Sequence, residues 1–524
     1  MKKKFLVSLL CICALVTGLL LTGCGSSEGG ESKGGDTLVY GSQDYTAINP
    51  ALYEHGEINA LLFAGLTAHD EDNKVVPALA ESWKFDEESL TYTFKLREGL
   101  TFHDGEALTS ADVKFTLEAI LDEDNQSEII SNYTDIDKIT CPDDLTVKIK
   151  LKQVNVAFPD YMSIGILPKH LLEGEDLATC DFNQNPVGAG PYKMKEWDTA
   201  QSITMEKFDG YYNGEPNIGT VVFKIVPDTD AKAMQLKSGD IDMAQITAKT
   251  AKDIEETGDY NIYRMDTADY RAIAYNFGSP LFKKYPELAN ILSYAIDRET
   301  IIKSVLLGEG QAAYSPIQKG EYNNEKIEKF SYDPEECQKL LEEDGWKKNS
   351  DGFYEKDGTE LKFVISAMSD DQVRVDMAKL CANQLQKIGV NASAESKPSL
   401  DWAGQDCCII GWGSPFDADD HTYKVFSTDA GDNYTGYSNQ KIDQLLKDAR
   451  HTENQEKRKA LYQEFQEEMT KAMPYTFIAY VDADYAIKKN ITGITEKTVL
   501  GPPWRRRVLE HRRLENRRII WKIF

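Results

Sequence analysis

The succession of hydrophobic and polar positions predicts a mixed α/β chain from Thr37 onward. Residues 90–96 alternate apolar and polar side chains, a period of two that is typical of a half-buried strand. Thr109 immediately precedes a helical pattern that ends near Leu121, and its hydroxyl is suited to cap that helix. The same two periods predict strands at 37–41, 147–151, 271–277 and 361–366, and helices at 58–66, 231–238, 287–307, 334–344, 373–388 and 442–468.

The first 24 residues have the pattern of an export signal. Three lysines after Met1 precede an uncharged, mostly apolar stretch at 5–21, which is too short for an ordinary membrane span. The stretch ends in Leu-Thr-Gly-Cys at 21–24, which resembles the bacterial lipobox, whose cysteine accepts a diacylglycerol. The resemblance implies a signal peptide at 1–23, a flexible tether at 24–35, and a lipid on Cys24 that anchors the protein at the outer face of the cytoplasmic membrane. A plain signal peptide with an accidental cysteine is the alternative.

Composition and charge narrow the class of protein. The chain has 524 residues, more than one core usually requires, which predicts two or three lobes. Asp and Glu number 86 against 59 Lys and Arg, a formal net charge of -27. Nucleic-acid binding needs positive surface, so this balance argues against it. Beyond the N-terminal stretch there is no long apolar run, which argues against a multispan membrane protein.

Residues 501–524 differ in composition from the rest of the chain. They hold seven arginines, as many as the preceding 500 residues together, and carry a net charge of +6. A basic segment of this kind usually indicates binding to anionic lipid or nucleic acid. Alternatively it is a surface helix that contacts the acidic body, or a sequence that was never selected, as after a shift of reading frame. The abrupt change after Leu500 favours the last interpretation.

No motif in the sequence points to catalysis. Phosphate-binding loops, HExxH zinc helices, GxSxG nucleophile elbows and complete calcium loops are all absent from it. The six cysteines beyond Cys24 have neither CxxC nor Cys/His metal spacing, and Cys407 and Cys408 lie in a short apolar run typical of a buried strand. The missing motifs argue against an enzyme, with a cell-surface peptidase as the remote alternative.

Several short motifs occur together in a fixed order. The central block continues from a turn at 102–106, where His103 is expected to be structural, into the helix that begins after Thr109. In combination these motifs resemble the family-5 extracellular solute-binding proteins, the peptide and nickel class of ABC importers, over about 37–493. The motifs are Val-Pro-Ala-Leu-Ala-Glu-Ser-Trp at 76–83, Tyr-Thr-Phe-Lys-Leu-Arg-Glu-Gly-Leu at 92–100, Phe-His-Asp-Gly-Glu at 102–106, Leu-Thr-Ser-Ala-Asp-Val at 108–113, Pro-Val-Gly-Ala-Gly-Pro-Tyr at 186–192, Gly-Asp-Ile-Asp at 239–242, Ala-Ile-Asp-Arg at 295–298 and Gly-Trp at 411–412.

The resemblance implies an α/β, bilobed fold of the periplasmic-binding-protein type II (class C), with an extra subdomain in lobe I. Lobe I would comprise 36–266, with the subdomain at about 69–184, and would resume at 473–500. Lobe II would comprise 267–472. The resemblance further implies a monomeric receptor without a cofactor, which closes over a ligand between the lobes and delivers it to the permease and ATPase subunits of the importer.

The resemblance also implies which residues would hold a peptide. In peptide-binding relatives a carboxylate just after Gly-Trp holds the ligand amine, and basic or hydroxyl groups hold the ligand carboxylate. This chain has a proline at the position of that acid, so Asp417, Asp419 or Asp420 would have to replace it. Tyr270 and Arg271, which open the first strand of lobe II, are the candidates for the ligand carboxylate, and an interlobe salt bridge is the alternative role of Arg271. The aromatic candidates for the cleft lining are Trp402, Trp412, Tyr423 and Tyr434, whose alternative role is to pack a core, and Phe416 is a further candidate contact.

Uptake of a nickel complex is the alternative function. Residues 412–417 resemble the Trp-Gly-Ala-Pro-Tyr-Asp stretch of nickel-metallophore binders, and His55, Glu57 and His421 would then supply nitrogen and oxygen ligands. However, the histidine that those binders carry further downstream falls near Ala430 in this chain, and their arginine pair has no clear counterpart. The motifs therefore favour a short peptide over a nickel complex.

Overall fold

The computed structural model describes residues 37–53, 56–70, 73–369, 371–414 and 417–491. The predictions for the export signal, for Cys24, for the tether and for the basic tail fall outside these residues, as do those for His55 and Phe416. In the part of the chain that is described, no helix is both long enough and apolar enough to cross a membrane.

Two large sheets form the framework of the described chain. Both are mixed sheets: in the first, Thr37–Ser42 pairs in parallel with Thr220–Ile225, a strand far along the chain. The first sheet has seven strands, in the spatial order Tyr260–Met265, Ala483–Lys488, Met243–Ile246, Thr37–Ser42, Thr220–Ile225, Ser202–Lys207 and Tyr192–Asp198. The second has six, in the order Gln311–Ala312, Tyr475–Tyr480, Tyr270–Tyr275, Cys407–Ile410, Lys362–Met368 and Asn391–Lys397.

Three smaller sheets accompany them among the described residues. The largest of the three is antiparallel and lies within the predicted subdomain at 69–184, where its alternating strands bury one face. It has the spatial order Ala80–Asp86, Thr91–Leu96, Thr146–Leu151 and Ile136–Asp143. The other two sheets consist of Thr67–His69 with Val75–Pro77, and of Lys347–Lys348 with Tyr354–Lys356 and Thr359–Glu360.

Helices cover the faces of these sheets. Within the described residues they are Gly56–Leu62, Ser110–Leu121, Phe158–Tyr161, Lys169–Leu172, Thr229–Ser238, Ala248–Glu255, Pro280–Lys284, Leu288–Ser293, Arg298–Ser304, Pro334–Glu343, Gln372–Ile388, Tyr423–Phe426, Gln440–Arg450 and Gln455–Met469. Short 3-10 turns occur at Glu123–Asn125, Ile130–Asn132, Asp181–Asn183, Trp402–Gly404 and Ala418–His421.

Each large sheet is covered on both faces and has its own hydrophobic core, so the described chain forms two lobes. The second sheet packs Gln372–Ile388 on one face and the pair Gln440–Arg450 and Gln455–Met469 on the other. The first sheet shares one continuous core with the subdomain and packs two helices on its opposite face. We call the first sheet with the subdomain the first lobe, and the second sheet with its helices the second lobe. The prediction of buried strand thiols is confirmed, because Cys407 and Cys408 are buried.

The chain crosses between the two sheets at two points. The first crossing lies at 266–269, between the strands Tyr260–Met265 and Tyr270–Tyr275. The second lies at 481–482, because Tyr475–Tyr480 is fully buried and pairs with Tyr270–Tyr275 in the second sheet. The predicted return to lobe I at 473 is therefore too early. The two crossings are in contact, because Val481 N–H donates a hydrogen bond to the carbonyl of Asp269 at 2.9 Å.

The signature block builds local structure. Thr109 and Asp112 form a reciprocal cap on the helix Ser110–Leu121, as its pattern predicts. Both nitrogens of the His103 ring contact the main chain. Nδ1 accepts a hydrogen bond from Gly188 N–H at 3.1 Å, and Nε2 lies 3.1 Å from the carbonyl oxygen of Gly190. Burial lowers the pKa of His103 to about 4. Its neutral ring therefore fixes the turn, in agreement with the structural role expected from the sequence.

The single helix predicted at 287–307 is wrong, because the structure has two short helices there, Leu288–Ser293 and Arg298–Ser304. Asp297 caps the second by accepting from Thr300 N–H at 2.9 Å. The break is fixed by Arg298, which is 3% exposed and donates to main-chain carbonyls rather than to an acid. Its five acceptors are the carbonyls of Ser293, Ile296, Ala313, Phe330 and Phe477.

Candidate ligand-binding site

The candidate site lies at the edge of the second sheet where two parallel strands end, Lys362–Met368 and Cys407–Ile410. Mixed α/β sheets bind ligands at this edge because the strands leave a crevice beyond their carboxyl ends. Gly411 follows the second strand directly, and a Cβ atom there would overlap the guanidinium of Arg271. The glycine therefore lets the Gly-Trp segment run close beside the first strand of the second lobe.

Three of the predicted aromatic residues are stacked beside this edge. The ring centre of Tyr434 lies 5.8 Å from that of Trp402 and 6.2 Å from that of Trp412, with interplanar angles of 19° and 29°. Nζ of Lys424 lies 5.6 Å from the centre of the Trp412 ring and 3.4 Å from Asp432. All three rings are half-buried, so this aromatic stack offers flat apolar surface for a ligand.

Two of the three predicted acids have arginine partners inside the second lobe. The guanidinium of Arg458 donates to both oxygens of Asp417 at 2.6 Å. Arg450 donates through Nε and Nη2 to Asp419 at 2.6–3.0 Å. Burial acts to raise the pKa of Asp417, but the Arg458 charge outweighs it and holds that pKa below its usual range. The carboxylate of Asp417 thus stays ionised, and both acids anchor the loop to the helices behind it through their arginine partners.

Asp420 completes this group of acids and is 2% exposed. The guanidinium groups of Arg450 and Arg458 donate to the neighbouring acids Asp419 and Asp417. Asp160 of the subdomain adds to the negative potential. Burial raises its pKa, and the charges of Asp417 and Asp420 raise it further, while His69 at 3.0 Å opposes the shift. This region favours a cationic group.

Arg271 lies on the other side of the Gly-Trp segment. Its Nη1 is 2.6 Å from Asp269, and its buried Nε–H has no acceptor among the described residues. Burial opposes the charge of Arg271, but Asp269 and Asp371 more than offset this, so its pKa lies above its ordinary value. Arg374 and Asp371, 3.0 Å apart, belong to the same cluster. Arg271 therefore keeps one donor for an anion.

Tyr270, also a predicted site residue, is enclosed in the core of the second lobe, against which the aromatic stack packs. Its ring packs edge-on against Phe477 and Tyr480 and is fully buried in the core under the second sheet. A strand alternates its side chains between the two faces of a sheet, so Arg271 and Tyr270 cannot both face the cleft. Tyr270 therefore supports the site from below and is not among the ligand contacts that we propose.

Two of the residues suggested as metal ligands, Glu57 and His421, contact different neighbours. Glu57 accepts a hydrogen bond from Tyr40 Oη at 2.9 Å, and His421 Nε2 lies 3.2 Å from the carbonyl of Pro316. Across the residues that the structure describes, no three His, Cys, Asp or Glu side chains are grouped to hold a metal ion. The third suggested ligand, His55, lies outside those residues.

The same loop also contacts the first lobe. Tyr161 Oη, on the subdomain, donates to Asp419 Oδ2 at 2.5 Å. Arg450 Nη1 donates to the carbonyl of Ser131 at 3.1 Å, and His451 Nε2 lies 3.3 Å from Asp135 Oδ2. Asp419 therefore connects the candidate site, the helix Gln440–Arg450 and the opposite lobe in one hydrogen-bonded network.

The sequence reading missed Arg450 and Arg458. The composition of the chain contains one signal for these two residues. Arginine is rare in residues 1–500, and lysine supplies most of the positive charge in that part of the chain. Arginine is preferred over lysine where a buried carboxylate needs two parallel donors. Scarce arginines in an acidic chain are therefore candidates for buried pairs, although their partners are not fixed by spacing alone.

A protein-family model and a known relative both match most of the chain. The family model for "Bacterial extracellular solute-binding proteins, family 5 Middle" matches residues 74–472. The oligopeptide-binding protein AppA of Bacillus subtilis (strain 168) is 31% identical over 531 residues, which cover 94% of this chain and 96% of that protein.

Two solved structures are similar over most of the chain. NikZ from Campylobacter jejuni in complex with Ni(L-His) has a TM-score of 0.85 and 36% identity, covering 89% of this chain and 96% of its own. AppA from Bacillus subtilis in complex with a nonapeptide has a TM-score of 0.81 and 32% identity, covering 87% of this chain and 95% of its own.

Proposed function

The chain belongs to the bacterial extracellular solute-binding proteins of family 5, and we propose that it captures short peptides between its two lobes and delivers them to the permease of an ABC importer. The observation that carries this proposal is the match to the oligopeptide-binding AppA over 94% of the chain. Binding and release complete the task, and no covalent step is required. Because residues 21–24 resemble a lipobox and the family is extracellular, we also propose that a lipid on Cys24 holds the protein at the outer face of the membrane.

The ends of the peptide would be held by the two charged regions of the site. We assign the peptide amine to Asp420, because this acid is buried and the neighbouring carboxylates make the potential around it negative. We assign the peptide carboxylate to Arg271, whose Nε–H has no acceptor among the residues described. The aromatic stack would receive an apolar side chain. Hydrogen bonds to charged groups are the strong ones, so these two anchors would set the orientation.

A nickel complex is the second candidate ligand. The observation that favours it is the likeness to NikZ, which was solved with Ni(L-His), at a TM-score of 0.85. The two candidates differ in what the protein should carry when isolated: a peptide in one case, and stoichiometric nickel in the other.

The experiment that decides between them is identification of the bound molecule. Native mass spectrometry of the purified protein should reveal short peptides, and the unfolding midpoint should rise when a peptide mixture is added. Nickel with L-histidine, added to refolded protein, serves as the competing probe. A midpoint raised by nickel and histidine, with no response to any peptide, would replace the peptide proposal by the metal one.

Asp420→Asn is expected to weaken peptide binding roughly ten- to hundred-fold, because a charged hydrogen bond to the amine is worth about 1.5–3 kcal/mol. Isothermal titration with one defined peptide measures this change. The N-acetylated form of that peptide should bind the unchanged protein as weakly as the free peptide binds the variant. Asp429→Asn, at an exposed position on the following loop, is the matched control. Equal affinity of Asp420→Asn and the unchanged protein for the free peptide contradicts the assignment of the amine.

Tyr161→Phe is expected to raise the Kd of the same peptide about ten-fold or more, because it removes one hydrogen bond between the lobes to a charged carboxylate. The phenyl ring retains the packing, so the circular dichroism spectrum should not change. Tyr192→Phe, which also loses a buried hydroxyl contact but within the first lobe, is the control and should leave the Kd unchanged. If both variants bind alike, the contact between Tyr161 and Asp419 does not contribute to closure.

A further inference from the structure

A buried acid without a hydrogen-bond donor among the described residues lies next to the two crossings between the lobes. Asp484 lies two residues beyond the second crossing, in the strand Ala483–Lys488, and is 3% exposed. No described residue donates a hydrogen bond to either of its carboxylate oxygens. An ionised carboxylate in such a position is costly, because it has lost water without gaining donors.

A second acid approaches from the other lobe. Glu309 lies in the loop that leads into Gln311–Ala312, a strand of the second sheet. Arg264, which pairs with Asp484 across neighbouring strands of the first sheet, has its Nε 3.1 Å from Glu309 Oε1 and 4.0 Å from Asp484 Oδ1. One half-exposed guanidinium therefore serves two carboxylates that belong to different lobes.

The other charged groups packed around this pair do not neutralise it. Glu255, on the helix beside the strand of Asp484, is 3.9 Å from Arg264 and adds negative charge. Asp482, in the crossing itself, accepts from Gly310 N–H at 3.1 Å. Lys319 is the remaining base, and it pairs with Asp266 in the first crossing. The five acids named here outnumber the two bases, so binding one proton reduces the excess negative charge.

The pKa of Asp484 agrees with a bound proton. Burial raises this pKa to about 8, and the adjacent Glu309 contributes to the increase, while Arg264 acts against it. The pKa of Asp482 is raised as well, again chiefly by burial. At neutral pH the carboxyl of Asp484 is therefore mostly protonated and is able to donate to Glu309.

We propose that Asp484 and Glu309 share one proton across the hinge, and that this proton holds the ligand-free lobes together. Its loss in mildly alkaline solution places two negative charges on opposite lobes beside the crossings, and their repulsion drives the lobes apart. This inference goes beyond the proposed function, because it concerns the protein without ligand and does not depend on whether the ligand is a peptide or a nickel complex.

The test uses the purified, ligand-free protein and the variants Asp484→Asn and Glu309→Gln. Infrared spectroscopy should detect a protonated carboxyl that titrates near pH 8 in the unchanged protein and is absent from Asp484→Asn. In Glu309→Gln the same band should titrate lower by about one pH unit or more, since a like charge has been removed. Small-angle scattering should show a radius of gyration that increases between pH 7 and pH 9.5, and neither variant should show this increase.

Glu255→Gln is the matched control, because it removes an exposed acid from the same arginine without touching the shared proton. It should retain both the infrared band and the change in radius. If the unchanged protein has no titrating band, or if both variants expand with pH as the unchanged protein does, the proposal is overturned. Glu309→Gln keeps the test open should Asp484→Asn fail to fold.

Discussion

Arg458→Met is expected to lower the free energy of unfolding by about 3–5 kcal/mol, because it leaves the carboxylate of Asp417 buried without its counter-charge. In the folded protein the Arg458 guanidinium donates to both oxygens of Asp417 and is itself 1% exposed. Urea denaturation followed by circular dichroism measures the loss. The double variant Asp417→Leu with Arg458→Met should recover much of it, since neither charge of this buried pair then remains.

The chain supplies a matched control on the same two helices. Lys441 and Glu464 also join Gln440–Arg450 to Gln455–Met469, with Nζ 2.5 Å from Oε1, but each side chain is about half exposed. Lys441→Met should change the free energy of unfolding by less than about 1 kcal/mol, because water screens an exposed pair. If Arg458→Met and Lys441→Met lower the free energy of unfolding by similar amounts, burial does not explain the contribution of the Asp417–Arg458 pair.

Arg298→Met is expected to destabilise the protein by roughly 4 kcal/mol or more, because buried carbonyls that lose a charged donor each cost about 1–3 kcal/mol. These carbonyls come from three separate parts of the second lobe, so the side chain joins them at one point. Burial lowers the pKa of Arg298 to about 10, yet the group stays charged at neutral pH. Thermal unfolding at pH 7 provides the measurement.

Two further variants separate charge from geometry at this position. Arg298→Lys keeps the charge but has fewer donors and a shorter reach, so it should lose an intermediate amount of stability. Lys303→Met, an exposed change on the same short helix, should be neutral. A stability of Arg298→Lys equal to that of the unchanged protein would mean that the planar arrangement of donors is unnecessary.

Local patterns in the sequence predicted the local structure well. The helix Ser110–Leu121 begins after Thr109 as expected, and Gln372–Ile388 ends at Gly389, whose φ of 100° suits glycine. These features depend on neighbours within a few positions, which the sequence displays directly. The family resemblance, which rests on short motifs in a fixed order, is confirmed by the family model that matches residues 74–472.

Features that depend on distant partners were not predictable in this way. The break before Arg298 exists because carbonyls from Ala313, Phe330 and Phe477 converge on it. Asp417 was predicted as a ligand contact, but the arginine that engages it lies on a helix far along the chain. Spacing in sequence carries no information about such encounters, whereas the scarcity of arginine carried some.

The position of Ala483–Lys488 bears on how the protein matures. This strand lies inside the first sheet, hydrogen-bonded to Met243–Ile246 on one side and Tyr260–Met265 on the other, although nearly the whole chain precedes it. A protein threaded through a secretion pore from its N-terminus therefore delivers a gap in that sheet long before it delivers the segment that fills the gap. Contacts so remote in sequence form late and slowly. The lobe that is translocated first would thus be the last to gain resistance to proteases.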